Sequence, residues 1–460
     1  MLGIVSYLFP EGGVIFGKQR FYFPSLEDIL LKNREKGKDI SLEMRKMEES
    51  LRMRQYQDSL SFFTGFFQTH PSRIHFPEGN PACWDSLFES LASCQERNEL
   101  VHILHYGDSQ IEGDRITGYI RQQLQEKFGG AGPGLIPAVQ PVPSSSISQK
   151  ASENLERYIV SGNFTNQVQH KRYGVLGQMA YVPGSGTVSV ASRNWKTTFD
   201  NVKKFSKIRM YVGNTPANFR ASLLSADATR MHKLDRKKQE MSVIRWEMPD
   251  PVQKFTLKLS GSAEVYGIAL DGGCGVAVDN IPLRGSSGTF FTSMDTTVMK
   301  PMLKDLNVGL IILEFGGNMM PSIRKEKGVE DYKVKMAKQI AYFQRICPEA
   351  KILLIGPSDM STKINGKLQT YPLLEQVVQG MKEAALESGA AFWDMYKVMG
   401  GENSMISWVR NKPSLAAPDY IHFTSKGAER IAELFYESLM IYYDYYNFRK
   451  EYKLNNPAAQ

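Results

Sequence analysis

Cysteine and histidine are scarce in this sequence. Its 460 residues include four cysteines, at positions 83, 94, 274 and 347, and seven histidines. Neither residue type recurs at the spacings typical of metal ligands, so the sequence indicates no metal site. Cys83 and Cys94 could pair in an oxidising compartment, whereas Cys347 follows an apolar helical face and is predicted to be a packed thiol.

Clusters of basic residues are also missing. Lys and Arg outnumber Asp and Glu by 56 to 48, which gives a net charge of +8, but they are spread along the chain. The sequence therefore indicates no nucleic-acid-binding tract. A mildly basic surface suits an anionic polymer such as a cell-wall glycan. Ordinary solvated surface charge is the simpler explanation.

The sequence shows no complete export signal. Residues 1–9 are apolar, but no basic region precedes them and no small-residue cleavage site follows. The stretch is too short to cross a bilayer. Residues 26–63 are strongly charged with apolar residues at helical intervals, a pattern that predicts one or two helices.

The length and composition predict a globular protein of two or three domains, with 42% hydrophobic and 23% charged residues. From about 158 to 273, short alternating segments are separated by Gly, Pro, Asn and Asp, which predicts a β-sandwich. Trp195, Tyr173 and Tyr181 are candidate platforms for stacking on a saccharide. Each is better explained as a core residue, since aromatic side chains dominate small β cores.

Helical and strand patterns alternate in the C-terminal part. Residues 308–315, 350–355 and 390–394 are predicted strands, and 330–346, 373–388 and 425–442 are predicted helices. This β-α alternation predicts a parallel sheet covered by helices on both faces. Ligands of such open sheets bind outside the carboxyl ends of the strands.

Ser109 lies where a predicted strand meets a predicted helix. The apolar run 101–106 breaks at Gly107, and apolar residues recur at helical spacing after Ser109. The first N–H groups of a helix are unpaired and carry the positive end of its dipole, so an oxyanion beside Ser109 would be stabilised. Taken alone, the Gly-Asp-Ser sequence is better explained by Asp108 or Ser109 acting as a helix N-cap.

Two later stretches place further polar residues at the ends of predicted elements. The strand 308–315 runs into Gly316-Gly317-Asn318, and Asp419-x-x-His422 precedes the helix that begins near Ser425. A serine, an asparagine and an Asp-x-x-His, in that order, form the residue set of a serine hydrolase.

These motifs resemble the SGNH, or GDSL-type, esterase superfamily. The resemblance covers about residues 98–150 and 276–440. The segment from His105 through Gly118 and the glycine-rich end at 128–134 look like the peptidoglycan O-acetylesterase branch, which carries a β-rich insertion after its first block. The matching residues are Gly107-Asp108-Ser109, Gly285 within Leu283-Arg284-Gly285-Ser286-Ser287-Gly288, Gly316-x-Asn318 and Asp419-x-x-His422.

The resemblance implies a role for each matching residue. Ser109 would be the nucleophile, His422 the base that takes its proton, and Asp419 the carboxylate that orients the imidazole. The oxyanion hole would consist of the N–H groups of Ser109 and Gly285 and the amide of Asn318. Gly288 is a competitor for the glycine position. No cofactor is implied.

The sequence departs from the family pattern beside the asparagine. Met319 and Met320 stand where relatives usually have an acidic residue, and Gly317 stands where a polar residue is common. The departures concern the substrate and the acyl acceptor rather than the proton-relay residues.

The fold class that follows is α/β, an SGNH-hydrolase-like three-layer α/β/α parallel sheet with an inserted β-sandwich domain. The predicted divisions are an N-terminal helical or leader segment (1–70), the first part of the hydrolase domain (71–150), the inserted carbohydrate-binding-like β-sandwich (151–275), the second part of the hydrolase domain (276–445) and a C-terminal tail (446–460).

The expected function is a serine esterase that removes O-acetyl groups from a bacterial cell-wall glycan, with peptidoglycan as the expected substrate. Two alternatives stay open. The first is an O-acetyltransferase or an esterase acting on another acetylated polysaccharide. The second is a non-catalytic glycan-binding envelope protein. The expected location is the periplasm or cell envelope, with membrane anchoring through a missing or truncated N-terminus. The sequence does not indicate an oligomeric state.

Overall fold

The computed structural model describes residues 14–21, 41–161, 167–195, 198–226, 228–234 and 240–455. The chain divides into two compact units, residues 1–65 and 66–460. The first unit contains the antiparallel strands β1 (Val14–Phe16) and β2 (Gln19–Phe21) and most of helix α1 (Ser41–Thr69). The helix predicted within 26–63 is confirmed from Ser41 onward, and residues 1–9 lie outside the described part.

The second unit contains the remaining strands and helices. In chain order the strands are β3 (Ile74–His75), β4 (Leu100–Gly107), β5 (Gly134–Ile136), β6 (Ile147–Ala151), β7 (Glu156–Ile159), β8 (Gln178–Ser192), β9 (Phe205–Gly213), β10 (Phe219–Leu224), β11 (Thr229–Leu234), β12 (Ser242–Val252), β13 (Lys254–Asp271), β14 (Gly275–Pro282), β15 (Val308–Glu314), β16 (Lys351–Ile355), β17 (Ser361–Ile364), β18 (Lys367–Thr370) and β19 (Ala391–Trp393). The helices are α2 (Asp85–Ser93), α3 (Thr117–Phe128), α4 (Thr296–Leu306), α5 (Glu326–Ile346), α6 (Leu374–Glu387), α7 (Met395–Met399), α8 (Ser404–Arg410) and α9 (Ser425–Asn455). None of the described helices is long and apolar enough to span a bilayer.

A parallel sheet forms the centre of the α/β domain. Its strand order is β14-β4-β15-β16-β19-β3, and only the edge strand β3 is antiparallel to its neighbour. Successive residues of a strand point to opposite faces, so Leu104 enters one apolar core and Ile103 the other. Helices α4, α5 and α6 contribute to the first core, and α2, α3 and α9 to the second. The predicted three-layer α/β/α arrangement is confirmed.

The β-rich insertion is also confirmed. Strands β5 to β13 form one hydrogen-bonded network with its own apolar core. The long strand β13 pairs with β10 through its first half and with β9 through its second half, so it joins both parts of the network. Tyr173 is fully buried and therefore belongs to a core, whereas Trp195 is 50% exposed.

Strand and helix bounds differ from the predicted segments at two places. The β-rich insertion was predicted to begin at residue 151, but β5 lies wholly before this position and β6 ends at it, and both strands belong to the β-rich network. Helix α9 continues to Asn455, into the segment predicted as a tail. The division of the chain into 71–150, 151–275 and 276–445 as functional domains stays a prediction.

The four cysteines are free in the structure, so a Cys83–Cys94 disulfide is not formed. Cys83 is exposed, whereas Cys94 is buried with its thiol 3.1 Å from the carbonyl oxygen of Leu91. Cys347 packs against the core that includes α5, as predicted, and burial raises its pKa.

Candidate active site

The register of three parallel strands brings the predicted site residues to one edge of the sheet. Gly107 at the end of β4 pairs with Pro282 at the end of β14 and with Glu314 at the end of β15. Because the three strands end side by side, the loops that follow them are neighbours. Ser109, Gly285 and Asn318 lie in these loops, each within a few residues of its strand end.

A chain of hydrogen bonds joins Ser109, His422 and Asp419. Ser109 Oγ lies 2.9 Å from His422 Nε2, and His422 Nδ1 lies 2.7 Å from Asp419 Oδ2. An ionised carboxylate can only accept, so Nδ1 carries the ring proton and Nε2 accepts from the Ser109 hydroxyl. The arrangement has the geometry of a Ser-His-Asp triad.

Asp419 is held by backbone groups as well as by the imidazole. Its Oδ1 accepts from the N–H groups of Ile421 and His422, both at 3.0 Å. Partial burial opposes ionisation, but the hydrogen bonds from the His422 ring and these backbone groups prevail and lower the pKa of Asp419. The carboxylate is therefore ionised and fixed in orientation near neutral pH.

The backbone N–H groups considered for an oxyanion hole differ in whether they already donate a hydrogen bond within the protein. Among the described residues, no acceptor takes the N–H of Ser109 or of Gly285. The N–H of Gly288, the competitor for the glycine position, donates to Ser286 Oγ at 3.1 Å. Gly285 is therefore the better candidate.

The Asn318 side chain is hydrogen-bonded to the loops that follow β4 and β14. Its Nδ2 donates to Asp108 Oδ2 at 2.7 Å and to the carbonyl oxygen of Ser286 at 3.1 Å. The turn that carries it begins at Gly316, whose φ is 121° and where a Cβ would lie 2.8 Å from Pro357 Cδ. Glycine is thus required at this turn, and the Asn318 amide that follows it reaches Asp108, the residue before Ser109.

Comparison with known proteins supports the fold. No protein-family model and no curated protein matches the sequence. Among solved structures, the chain is similar to a peptidoglycan O-acetylesterase, with a TM-score of 0.64 and 21% identity over 80% of this chain and 98% of the other. The protein has the SGNH-hydrolase fold.

Two further solved structures align less well. One is a family two carbohydrate esterase from Cellvibrio japonicus, with 10% identity, a TM-score of 0.24 and coverage of 65% of this chain and 99% of that one. The other is a GDSL-like lipase from Parabacteroides merdae, with 15% identity, a TM-score of 0.28 and coverage of 36% and 74%. TM-scores this low add nothing to the assignment of the SGNH-hydrolase fold.

Two residues that the sequence analysis did not identify connect the turn that contains Ser109 with the loop that contains His422. Arg115 donates to the carbonyl oxygens of Ser109 at 2.6 Å and Phe423 at 3.0 Å. Gln110 donates to the carbonyl oxygen of Ile421 at 2.7 Å and accepts from the N–H of Phe423 at 3.3 Å. The only local signal was two long polar side chains just after a buried strand of the SGNH-hydrolase sheet.

Asp108 is a buried carboxyl group directly beside Ser109. Burial is the main cause that raises its pKa from 3.8 to about 7, and the negative charge of nearby Glu314 acts in the same direction. The N–H of Gln110, at 2.9 Å, and the Asn318 amide stabilise its ionised form. Glu314 is itself paired with the buried His105 at 3.0 Å.

A cavity of about 170 Å³ opens beside the triad. Ser109, His422 and Asn318 line it together with the apolar side chains of Phe315 and Met360. The structure therefore brings four of the five predicted site residues, Ser109, His422, Asp419 and Asn318, into one connected arrangement. Gly285 faces a neighbouring cavity, and a Cβ placed on it would meet no atom within 4 Å. Among the described residues there is no cluster of three or more His, Cys, Asp or Glu suited to a metal ion.

Proposed function

We propose that the protein is a serine esterase that removes O-acetyl groups from a glycan, and that the glycan is peptidoglycan of a bacterial cell wall. The observation that carries the proposal is the hydrogen-bonded chain from Ser109 through His422 to Asp419 at the edge of the sheet. The similarity in fold to a peptidoglycan O-acetylesterase supports the choice of substrate. A wall substrate would place the protein outside the cytoplasm.

The geometry accounts for both halves of the reaction. His422 Nε2 takes the proton as Ser109 Oγ attacks the acetyl carbonyl carbon, and Asp419 stabilises the imidazolium that forms. The proton then passes from His422 to the departing sugar oxygen, which leaves an acetyl group on Ser109. Water, deprotonated by His422, attacks this ester, and acetate leaves as the proton returns to Ser109.

The tetrahedral intermediates carry a negative oxygen that requires donors. The N–H groups of Ser109 and Gly285 have no protein acceptor among the described residues, so they are available to it. The Asn318 amide is the third donor in this proposal. It would exchange its contact with the Ser286 carbonyl oxygen for the charged oxygen, because hydrogen bonds to ionised acceptors are the stronger ones.

The cavity and the β-rich domain support a glycan ester. The triad cavity is small and includes the apolar side chains of Phe315 and Met360 in its lining, which suits the methyl group of an acetate. Trp195 in the β-rich domain is half exposed, and the Arg193 guanidinium lies 4.0 Å from its ring centroid. The guanidinium covers one face of the ring, so in this proposal a sugar ring would stack on the other face.

Acetate release from O-acetylated peptidoglycan and from 4-nitrophenyl acetate tests the proposal. We expect Ser109→Ala to lower kcat for both by a factor on the order of 10⁴ to 10⁶, because no other group supplies the nucleophile. Ser293→Ala, which alters an exposed serine, is the matched control and should keep full activity. Release that survives Ser109→Ala would exclude this nucleophile. An intact protein that releases acetate from neither substrate would exclude the esterase.

A further inference from the structure

A second and larger cavity, of about 470 Å³, lies between the α/β domain and the β-rich domain. The turn after Ser109 contributes Glu112 and Gly113, and strand β14 contributes Asn280. Strands β7 and β8 contribute Arg157 and Gln178 from the opposite side. Its volume is typical of a site for a small organic ligand, for which about 300–1,000 Å³ is usual.

This interdomain cavity adjoins the triad. Gly285 lines it, and the next residue, Ser286, accepts the hydrogen bond from Asn318 in the triad cavity. Glu112 lines it too, and its N–H donates to the carbonyl oxygen of Ser109 at 3.4 Å. A substrate whose ester lies at Ser109 therefore has the interdomain cavity beside it.

Most charged groups that line the cavity are already paired. Arg121 donates to the two carboxylate oxygens of Asp114 at 2.6 and 3.0 Å, and both side chains are buried. Glu112 lies 3.6 Å from Arg284, which is exposed to solvent. These pairs leave no net charge to attract a ligand.

Arg157 is the exception. Its Nε donates to Gln178 Oε1 at 2.6 Å, but its two terminal nitrogens have no acceptor among the described residues. It forms no ion pair there, and partial burial alone lowers its pKa. A guanidinium remains charged in proteins, so this site holds a partly desolvated positive charge without a partner. The two free nitrogens form a fork that matches a carboxylate.

We propose that the interdomain cavity binds a carboxylate-bearing part of the substrate and that Arg157 recognises this carboxylate. The inference rests on the proposed function, because it assumes that the substrate ester lies at Ser109. The substrate class is then an acetylated saccharide with an acidic substituent. In peptidoglycan the carboxylate is either that of a free lactyl ether on the sugar or one of the attached peptide.

Three acetylated substrates test the inference by their kcat/KM values. They are 6-O-acetyl-N-acetylglucosamine, which is neutral, 6-O-acetyl-N-acetylmuramic acid, which has a free lactyl carboxylate, and a 6-O-acetyl muramyl peptide, whose carboxylates are on the peptide. We expect the intact protein to prefer one acidic substrate to the neutral one by about 10- to 100-fold, as for a charged hydrogen bond. Which acidic substrate is preferred identifies the source of the carboxylate.

Arg157→Gln should abolish this preference while kcat/KM for the neutral sugar stays within about threefold, since the triad is untouched. Arg220→Gln removes an exposed arginine of strand β10 in the same β-rich domain, outside the cavity lining, and is the matched control, which should keep the preference. The inference is overturned if the intact protein shows no preference, or if Arg157→Gln retains it.

A binding measurement separates this inference from the proposed function. In Ser109→Ala, titration calorimetry with unacetylated N-acetylmuramic acid and muramyl peptide requires no turnover. Adding Arg157→Gln should weaken binding of the preferred ligand by about 10-fold or more. Equal affinity with and without that substitution overturns the role of Arg157, whether or not the intact protein is an esterase.

Discussion

The side-chain amide of Asn318 donates a 2.7 Å hydrogen bond to the carboxyl group of Asp108, the residue directly before Ser109. The second amide hydrogen goes to the carbonyl oxygen of Ser286, the residue directly after Gly285. One asparagine thus connects the loops after β4, β14 and β15. Any movement of these loops relative to one another would change the position of the Asn318 amide relative to Ser109.

Asn318→Ala should lower kcat for acetate esters by about 10²- to 10³-fold, the usual cost of removing one oxyanion-hole donor. The measurement is steady-state acetate release, with the folded fraction checked by circular dichroism. Asn411→Ala replaces an asparagine in an exposed loop and should leave kcat unchanged. A kcat for Asn318→Ala within about threefold of the parent would remove Asn318 from the proposed oxyanion hole.

The buried Asp108 should make stability depend on pH. Its folded-state pKa is raised from 3.8 to about 7, chiefly by burial, so the folded protein binds this proton more tightly than the unfolded chain. The stabilisation is complete below about pH 4 and is lost as the pH rises through 7. The shift corresponds to about 4 kcal/mol in the free energy of unfolding.

Asp108→Asn should remove this pH dependence, because an amide does not ionise. Urea unfolding of parent and variant at pH 4.5 and pH 8 measures it: the free energy of unfolding of the variant, relative to the parent, should rise with pH. Asp250→Asn, at an exposed position, is the control and should keep the parent's dependence. A constant difference between parent and Asp108→Asn at both pH values would contradict the raised pKa.

Arg115→Lys should reduce kcat by about 10- to 100-fold with little change in KM. The guanidinium holds the carbonyl oxygens of Ser109 and Phe423 together, and a single ammonium cannot reach both in the same geometry. The rate of Ser109 labelling by a fluorophosphonate should fall in parallel, because the contact between Ser109 and His422 is loosened. Unchanged labelling with a lower kcat would place the effect of Arg115 elsewhere. Arg220→Lys, at an exposed position of strand β10, is the control and should keep the parent's kcat.

Trp195→Ala should affect the polymer but not a small ester. Trp195 is half exposed and lies just after strand β8 of the β-rich domain, and it is not among the residues that line the triad cavity. We expect KM for O-acetylated peptidoglycan to rise by about 2- to 10-fold, the value of one aromatic contact. Activity on 4-nitrophenyl acetate measured in parallel should not change. An equal loss on both substrates would indicate damage to the fold rather than a lost sugar contact.

The local sequence pattern was sufficient to predict the strands and the helix that position the candidate site residues. The apolar run ending at Gly107 predicts β4, the run 308–315 predicts β15, and the helical spacing after Ser425 predicts α9. These patterns succeed because burial on two faces requires continuous apolar residues and an amphipathic helix requires a period of 3.6. The polar residues that follow such strands in a parallel sheet lie at its carboxyl edge, which is why Ser109 and Asn318 were identifiable.

Only the tertiary structure decided how the loops meet. The register of β4 with β14 and β15 places the loop of Gly285 beside the loops of Ser109 and Asn318. The N–H of Gly288 donates to Ser286, whereas the N–H of Gly285 has no acceptor among the described residues. The hydrogen bonds of Arg115 and Gln110 join segments about 300 positions apart in the sequence. The spacing of apolar residues within a short segment cannot predict partners at such a distance.

The sequence by itself determined which elements form and which chemical groups stand at their ends, because both depend on neighbours a few residues away. The tertiary structure decided which of those groups are paired and which remain free. Arg121 and Arg157 are the same residue type and line the same cavity, yet the first is paired with Asp114, whereas the second has no carboxylate partner among the described residues. Pairing of charges depends on distance in space, which only the assembled sheet and β-rich domain establish.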